Sequence, residues 1–237
     1  MWLVLFDIDG TLVRMRPTPV RRALQEALQW TLRRAVQPEW LEDLAGKTDL
    51  QIFAEVAARY GWSGEELVRL MPRFACVYTS LYRRWVSARD LSVLPGVEAL
   101  LRQLQSLPTV VLGVLTGNLE AIAWQKLRWA GLAPFFRVGA FGSDHWEREH
   151  LLPYAWRRAR HAGLPIEPEK TILIGDSPRD VACARRWGVP CIAVATGPVS
   201  AETLSAAGAA VVLPDLTLHE HFWHALYELH AQADYCH

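Results

Sequence analysis

Two patterns of apolar and polar positions alternate along most of the chain. Short continuous apolar runs are typical of strands buried on both faces, and apolar residues spaced three or four apart are typical of helices. The runs lie near residues 2–6, 109–115, 137–141, 170–174, 191–195 and 210–213. Because helical segments separate the later runs, the pattern predicts an α/β fold in which a parallel sheet is covered by helices on both faces.

Residues 14–90 interrupt this alternation directly after the first strand, because their apolar positions recur only at helical spacing. Helices are predicted near 20–35, 50–60 and 64–87. The segment is most simply an all-helical cap inserted into the sheet domain. We therefore predict a core made of residues 1–13 and 91–237 and a helical cap made of residues 14–90.

The first apolar run ends at two carboxylates, Asp7 and Asp9, which are followed by Gly10 and Thr11. Side chains alternate along a strand, so residues two apart point to the same side. Like charges held this close repel each other unless a cation or a shared proton lies between them. The pair indicates a metal site or an acid/base dyad, although an ordinary turn at a strand end would explain Asp-x-Asp-Gly equally well.

A second polar cluster, Thr116-Gly117-Asn118, follows the next strand of the predicted core. In an open parallel sheet, ligands bind beyond the carboxyl ends of the strands. Thr116 offers a hydroxyl, and the amides of Gly117 and Asn118 lie at the start of a helix, which is an arrangement that binds phosphate. A turn followed by a helix cap would produce the same three residues.

A third cluster, Asp176 to Asp180, follows the strand near 170–174. Helix capping alone would explain these two carboxylates, because Pro178 suits the first position of a helix. In combination with Asp7 and Asp9, however, they would repel one another strongly unless they hold a cation. Oxygen-only ligands favour Mg²⁺, so the sequence predicts a magnesium site.

These motifs resemble those of the haloacid dehalogenase superfamily of phosphohydrolases, and the resemblance spans the whole chain. The matching segments, in the same order as in that family, are Asp7-Ile8-Asp9-Gly10-Thr11, Thr116, and Gly175-Asp176-Ser177-Pro178-Arg179-Asp180. The resemblance implies a Rossmann-like core with the family's first type of cap. The segment Leu94-Pro95-Gly96-Val97, where the chain re-enters the core, resembles the corresponding segment of the phosphoglycolate-phosphatase-like branch.

The resemblance also implies roles for individual residues. Asp7 would be the nucleophile that takes the phosphoryl group, and Asp9 would be the acid/base that protonates the leaving oxygen and later activates water. A carboxylate nucleophile divides hydrolysis into two steps through an acyl phosphate. Thr116 and Gly117 would bind the phosphoryl oxygens. The implied Mg²⁺ ligands are Asp7, Asp9 through its main-chain carbonyl, Asp176 and, in support, Asp180.

One family feature is missing, because no Lys-Pro lies between the second and last motifs. Arg148 lies at about the right place, and its guanidinium can bind phosphoryl oxygens in a fork. Lys126 is the alternative, but its position within a helix favours a solvated surface lysine. Lys47, Thr48 and Asp49 follow a turn in the cap and are expected to reach the substrate, although an ordinary helix start would explain them equally well.

Composition narrows the classes of partner. The chain has 25 Lys and Arg residues against 25 Asp and Glu residues, and this balance does not favour nucleic acid or an anionic membrane as a partner. It has no signal-like N-terminus and no apolar stretch of membrane-spanning length. Its four cysteines form no Cys-x-x-Cys, so free thiols and a cytoplasmic location are expected.

The predicted function is therefore Mg²⁺-dependent hydrolysis of a small phosphorylated metabolite, with phosphoglycolate as the first candidate because of the branch resemblance. A haloacid dehalogenase is disfavoured, since an acid such as Asp9 and a metal site serve phosphoryl chemistry. A phosphomutase of the same superfamily is a nearer alternative. A noncatalytic phosphate-binding regulatory protein is the alternative from a different class.

Overall fold

The central sheet contains six parallel strands. The computed structural model describes residues 1–217 and 219–234, so Cys236 lies outside the described residues. The spatial order of the strands is β5 (Val138–Phe141), β4 (Val110–Thr116), β1 (Trp2–Phe6), β6 (Thr171–Gly175), β7 (Cys191–Val194) and β8 (Val211–Leu213). Two three-residue strands, β2 (Val13–Met15) and β3 (Leu91–Val93), pair with each other in an antiparallel arrangement outside this sheet.

Three helices form a cap inserted between β2 and β3. They are α1 (Pro17–Leu32), α2 (Asp49–Ala58) and α3 (Gly64–Trp85). The cap helices pack around a second apolar cluster, which includes Leu24, Leu28, Phe53 and Phe74 and extends to Ile122 of the sheet domain. The inserted helical cap is therefore confirmed, whereas its limits at residues 14–90 stay a prediction.

Helices cover both faces of the sheet, as predicted. Val4 and Phe6 pack on one face with α4 (Val97–Gln105), α5 (Glu120–Trp129) and α9 (His219–Asp234). Leu3 and Leu5 pack on the other face with α6 (Leu152–His161) and α7 (Pro178–Arg186), and the short α8 (Ala201–Ala206) contacts α7. This division follows from the alternation of side chains along each strand. The α/β fold class is confirmed.

The pairing of β2 with β3 was not predicted, because a three-residue strand is too short to show a period. The helix α1 begins at Pro17, earlier than the predicted start near residue 20, since proline suits the first turn of a helix. None of the described helices combines the length and apolar character needed to cross a bilayer. Cys76, Cys183 and Cys191 are free thiols.

The strand order determines where a ligand can bind. β1 lies between β4 and β6, and the chain fills one side of β1 with β4 and β5 before it crosses to the other side. Crevices at such reversals lie beyond the carboxyl ends of the strands. The ends of β1, β4 and β6 are therefore brought together at one edge of the sheet, and the cap is inserted directly after β1 and β2.

Candidate active site

Three buried aspartates meet at the carboxyl ends of β1 and β6. One carboxylate oxygen from each of Asp7, Asp176 and Asp180 lies within 4.8 Å of the others. The two strand ends are joined by a hydrogen bond of 2.8 Å, in which the Asp7 backbone N–H donates to the Ile174 carbonyl. The carboxylates that the sequence placed at separate strand ends therefore form one cluster.

Asp180 serves the helix and the site with different oxygens. Its Oδ2 accepts hydrogen bonds from the Ser177 backbone N–H (3.0 Å) and from the Ser177 hydroxyl (2.6 Å), which completes a capping box at the start of α7. Its Oδ1 accepts a hydrogen bond from Arg148. Helix capping and participation in the acidic cluster were alternatives at the level of sequence, and the structure contains both.

Asp176 is held in a slot between two glycines. A Cβ added at Gly10 would lie 2.1 Å from Asp176 Oδ2, and one added at Gly197 would lie 1.7 Å from the same atom. Gly10 also has a φ of 82°, a conformation that residues with a β-carbon rarely adopt. These two positions therefore let the backbone approach the carboxylate closely and fix where it lies.

Burial and mutual repulsion make the acidic cluster hard to ionise. Burial is the main reason that the pKa of Asp176 is raised to about 9, and the charges of Asp7 and Asp180 add to the effect. Burial also raises the pKa of Asp7 to about 6, although Arg148 opposes the increase. A hard divalent cation would relieve this repulsion, and oxygen-only ligands suit Mg²⁺. The donor set therefore fits the predicted magnesium site.

Arg148 lies beside the predicted nucleophile. Its Nη2 is 3.1 Å from Asp7 Oδ1, contacts Asp180 Oδ1 and donates to the Leu115 carbonyl oxygen at 3.2 Å, while Nη1 donates to the Gly46 carbonyl oxygen at 3.4 Å. Burial lowers the pKa of the guanidinium, but Asp180 and Asp7 raise it above its usual value, so Arg148 stays charged. The side chain thus connects the acidic cluster to a loop of the cap.

Thr116 and Gly117 lie at the end of β4 and line the same cavity as Asp7. The Thr116 hydroxyl accepts a hydrogen bond of 3.3 Å from the Asn118 backbone N–H. The Gly117 carbonyl accepts one of 2.8 Å from the backbone N–H of Asp49 in the cap. A Cβ added at Gly117 would lie 2.2 Å from the Lys47 carbonyl oxygen, so the cap loop packs directly on this turn.

Lys126 is not the solvated lysine that its helix position favoured, and that expectation was wrong. Its side chain is 3% exposed, and its Nζ donates to Asp9 Oδ2 at 2.5 Å and to Asn118 Oδ1 at 2.7 Å. Among the described residues, both Arg148 and Lys126 therefore lie in the site, each against a different member of the Asp7–Asp9 pair.

The burial of Lys126 has a signal in the sequence that was missed. The buried positions of α5 are Ile122, Ala123, Lys126 and Leu127, so the lysine lies on the apolar stripe of its helix. Residues four apart share a helix face. A buried lysine in such a stripe needs a partner for its charge, and Asp9 supplies it.

Lys47 and Thr48, two of the three cap residues predicted to reach the substrate, are placed differently. Lys47 lines the cavity, and its Nζ pairs with Glu55 (2.8 Å) and Asp43 (3.4 Å). Thr48 is buried and caps α2: its hydroxyl accepts from the Gln51 N–H at 2.9 Å and donates to the Trp146 carbonyl. Thr48 therefore fastens the cap loop to the core, and its hydroxyl is already used within the protein.

Asp49, the third cap residue that the sequence offered as a substrate contact, bonds instead to the start of α5. Its carboxylate accepts a hydrogen bond of 2.7 Å from the Leu119 N–H at the start of α5. Burial raises the pKa of Asp49 to about 7, although the Leu119 N–H and the charge of Lys126 oppose the increase. The backbone N–H of Asp49 also donates to the Gly117 carbonyl. These two hydrogen bonds connect the cap to the turn that follows β4.

A cavity of about 410 Å³ lies between the cap and the carboxyl edge of the sheet. The core contributes polar residues to its wall, among them Asp7, Asp9, Thr116, Gly117, Lys126 and Arg148. The cap contributes apolar residues, which include Val20, Leu24, Ile52 and Tyr78, and also charged ones such as Arg21 and Lys47. The volume suits a small ligand whose polar end faces the carboxylates and whose other end faces the cap.

The chain is similar in sequence to known proteins. The sequence profile described as Haloacid dehalogenase-like hydrolase matches residues 4–194. A phosphoglycolate phosphatase of Rhodospirillum rubrum is 30% identical over 223 residues, covering 90% of this chain and 86% of that protein.

Solved structures share the fold over almost the whole chain. A predicted phosphatase from Clostridium acetobutylicum is 25% identical and superposes with a TM-score of 0.69, covering 94% of this chain and 99% of that one. A beta-phosphoglucomutase from Clostridium difficile superposes with a TM-score of 0.70 at 20% identity, covering 96% and 98%. At that lower identity the likeness concerns the fold alone.

Proposed function

Because the chain belongs to the haloacid dehalogenase-like hydrolase family, we propose that it is a Mg²⁺-dependent phosphatase of small phosphomonoesters. The observation that carries the proposal is the buried cluster of Asp7, Asp176 and Asp180, which contacts Arg148 at the floor of the cavity. Phosphoglycolate is the first natural substrate to test, since a relative 30% identical is a phosphoglycolate phosphatase. A cytoplasmic location stays a prediction.

In the first step of the proposed mechanism, the Asp7 carboxylate attacks phosphorus and the bond to the leaving oxygen breaks. Asp9 gives that oxygen a proton, so an alcohol departs and an aspartyl phosphate remains on Asp7. The Thr116 hydroxyl and the Gly117 N–H would donate to the phosphoryl oxygens. Arg148 offsets the negative charge of Asp7 and of the phosphoryl group.

In the second step, a water molecule attacks the aspartyl phosphate while Asp9 accepts its proton. Inorganic phosphate leaves and the Asp7 carboxylate is restored. When bound, Mg²⁺ would screen the repulsion between the anionic nucleophile and the anionic ester. Its ligands would be Asp7, the Asp9 carbonyl and Asp176, with Asp180 in support. The cap would shield the cavity from bulk water during the reaction.

The proposal is tested with Asp7→Asn. We expect hydrolysis of p-nitrophenyl phosphate to fall by at least about 10³-fold, because the amide cannot act as the nucleophile. Removal of Mg²⁺ with EDTA should abolish native activity, and added Mg²⁺ should restore it. After an acid quench with radiolabelled substrate, the native protein should carry an alkali-labile phosphoryl group and the variant should not.

Asp215→Asn is the matched control, since Asp215 bonds only locally to Thr217 in the described structure. This control should keep native activity. Native-rate hydrolysis by the Asp7→Asn variant would contradict the proposal.

Two alternatives to the phosphatase are distinguished by assays with other phosphate esters. A phosphomutase would isomerise a hexose 1-phosphate rather than release inorganic phosphate from it. A noncatalytic phosphate-binding protein would show no turnover across a panel of phosphomonoesters with Mg²⁺. The hydrolase family membership and the complete set of carboxylates favour the phosphatase.

A further inference from the structure

Asp9 is the residue that transfers protons in the proposed function, and its side chain has few contacts. Its side chain is 38% exposed, whereas the Asp7 side chain is 6% exposed. Among the side chains that the structure describes, those of residues 1–217 and 219–227, only that of Lys126 donates a hydrogen bond to the Asp9 carboxylate. The orientation of Asp9 within the cavity therefore depends on Lys126.

Lys126, in contrast, is held from several sides. It projects from the buried face of α5 and is 3% exposed. Its Nζ donates to Asn118 Oδ1 at 2.7 Å and lies 5.8 Å from the centre of the Tyr82 ring, which belongs to the cap helix α3. The Asn118 and Tyr82 contacts fix the ammonium from the core side and from the cap side.

A lysine buried for stability alone would be a poor choice at this position. Removing an ammonium from water costs several kcal/mol, and a buried ion pair seldom recovers more than that cost. Leucine or methionine would fill the apolar stripe of α5 without the penalty. The partner of Lys126 is also not an arbitrary carboxylate, because Asp9 lies two residues after the proposed nucleophile on the wall of the same cavity.

From this arrangement we propose that Lys126 is a positioning residue for Asp9. It holds the carboxyl group of Asp9 at the cavity wall, where Asp9 can reach the leaving oxygen of the ester. The inference rests on the proposed function, in which Asp9 protonates that oxygen. The proton moves from Asp9 to the oxygen as the bond between that oxygen and phosphorus breaks, and Lys126 acts only by holding Asp9 in place.

The test uses two esters that differ in their need for a proton. Nitrophenolate is a stable anion and leaves readily, whereas the benzyl alkoxide must be protonated to leave. The probes are therefore p-nitrophenyl phosphate and benzyl phosphate, which are similar in size and carry no charge outside the phosphate group. The parameter kcat/KM is compared, because it reports the steps up to departure of the alcohol.

We expect Lys126→Met to lower kcat/KM for benzyl phosphate by about 10²-fold, the usual loss when a proton-transfer group is misplaced. The loss for p-nitrophenyl phosphate should stay below about tenfold, because that ester depends little on the proton. Asp9→Asn should show the same bias between the two esters. Lys126→Arg, which restores a cation and a donor, should recover part of the benzyl phosphate activity.

Arg128→Met is the matched control, since Arg128 lies in the same helix but is exposed. Its kcat/KM should equal the native value for both esters. Thermal melts monitored by circular dichroism establish that the variants are folded. If Lys126→Met does not fold, Lys126→Gln, which is similar in size and uncharged, replaces it with the same expected bias.

The possible failures are distinguishable. Equal losses for both esters would overturn the proposal, because Lys126 would then act on phosphoryl binding or on the fold. A raised KM with unchanged kcat would also overturn it, because Lys126 would then be a substrate ligand. If the native protein hydrolyses neither ester with Mg²⁺, the proposed function itself fails.

Discussion

Arg148 is the guanidinium that contacts two of the three clustered carboxylates, so its replacement is an informative test of the site. Methionine is similar to the aliphatic part of arginine and has no charge. In the Arg148→Met variant, Asp7 and Asp180 would lose the cation that contacts both of them. The Leu115 carbonyl would lose a hydrogen bond of 3.2 Å as well.

The expected loss of stability can be worked from this environment. Asp7 and Asp180 are both buried, and leaving a buried charge without its partner costs about 3–5 kcal/mol. For a chain of this size, 1 kcal/mol corresponds to about 2–4 °C in Tm, so we expect Tm to fall by about 6–20 °C. Loss of the charge beside the nucleophile should also lower kcat/KM by about 10²-fold or more.

The assay is a thermal melt with and without Mg²⁺. Without Arg148 the carboxylate cluster is more negative, so Mg²⁺ should bind the folded variant more tightly than the folded native protein. A ligand that binds only the folded state raises Tm in proportion to its affinity. We therefore expect Mg²⁺ to raise Tm by more in Arg148→Met than in the native chain.

The control is Arg160→Met, which removes an exposed arginine of α6 and should leave both Tm and activity near the native values. A Tm for Arg148→Met within about 2 °C of native would refute the reasoning, because it would correspond to less than about 1 kcal/mol. Equal Mg²⁺ shifts in the two proteins would show that the cluster does not hold the ion.

Two further predictions concern other residues of the site. Gly10→Ala should lower activity at least about 10²-fold, because the added Cβ would lie 2.1 Å from Asp176 Oδ2. Gly131→Ala is the control and should keep activity, because a Cβ added there meets no atom within 4 Å. Unchanged Mg²⁺-dependent turnover in Gly10→Ala would contradict the placement of Asp176. Because burial raises the pKa of Asp49 to about 7 from 3.8, the folded chain binds this proton more tightly than the unfolded chain, and stability is lost as pH rises through that range. In urea unfolding, the free energy of unfolding of Asp49→Asn relative to that of the native protein should therefore rise by up to about 4 kcal/mol between about pH 4 and pH 8. A difference between the two free energies that does not change with pH would rule this out.

Much of the site could be predicted because its residues are tied to strand ends. Asp7 and Asp9 share a side through the two-residue period of a strand, and Asp176 and Asp180 follow the end of β6. Their convergence needs only the general rule that the carboxyl ends of neighbouring parallel strands meet at one edge. The structure brings Asp7, Asp176 and Asp180 together as that rule requires.

The amino-acid sequence by itself determined the α/β class, the inserted helical cap and the carboxylates at the strand ends, because these follow from local periodicity and chain order. Only the tertiary structure decided that Lys126 is buried against Asp9 and that Asp49 and Thr48 fasten the cap to the core. The physical reason is that a helical period shows which face of an element is covered but not which side chain covers it. The apolar stripe of α5 indicates that Lys126 is covered, but it cannot identify the partner, because Asp9 is 117 residues away in the sequence.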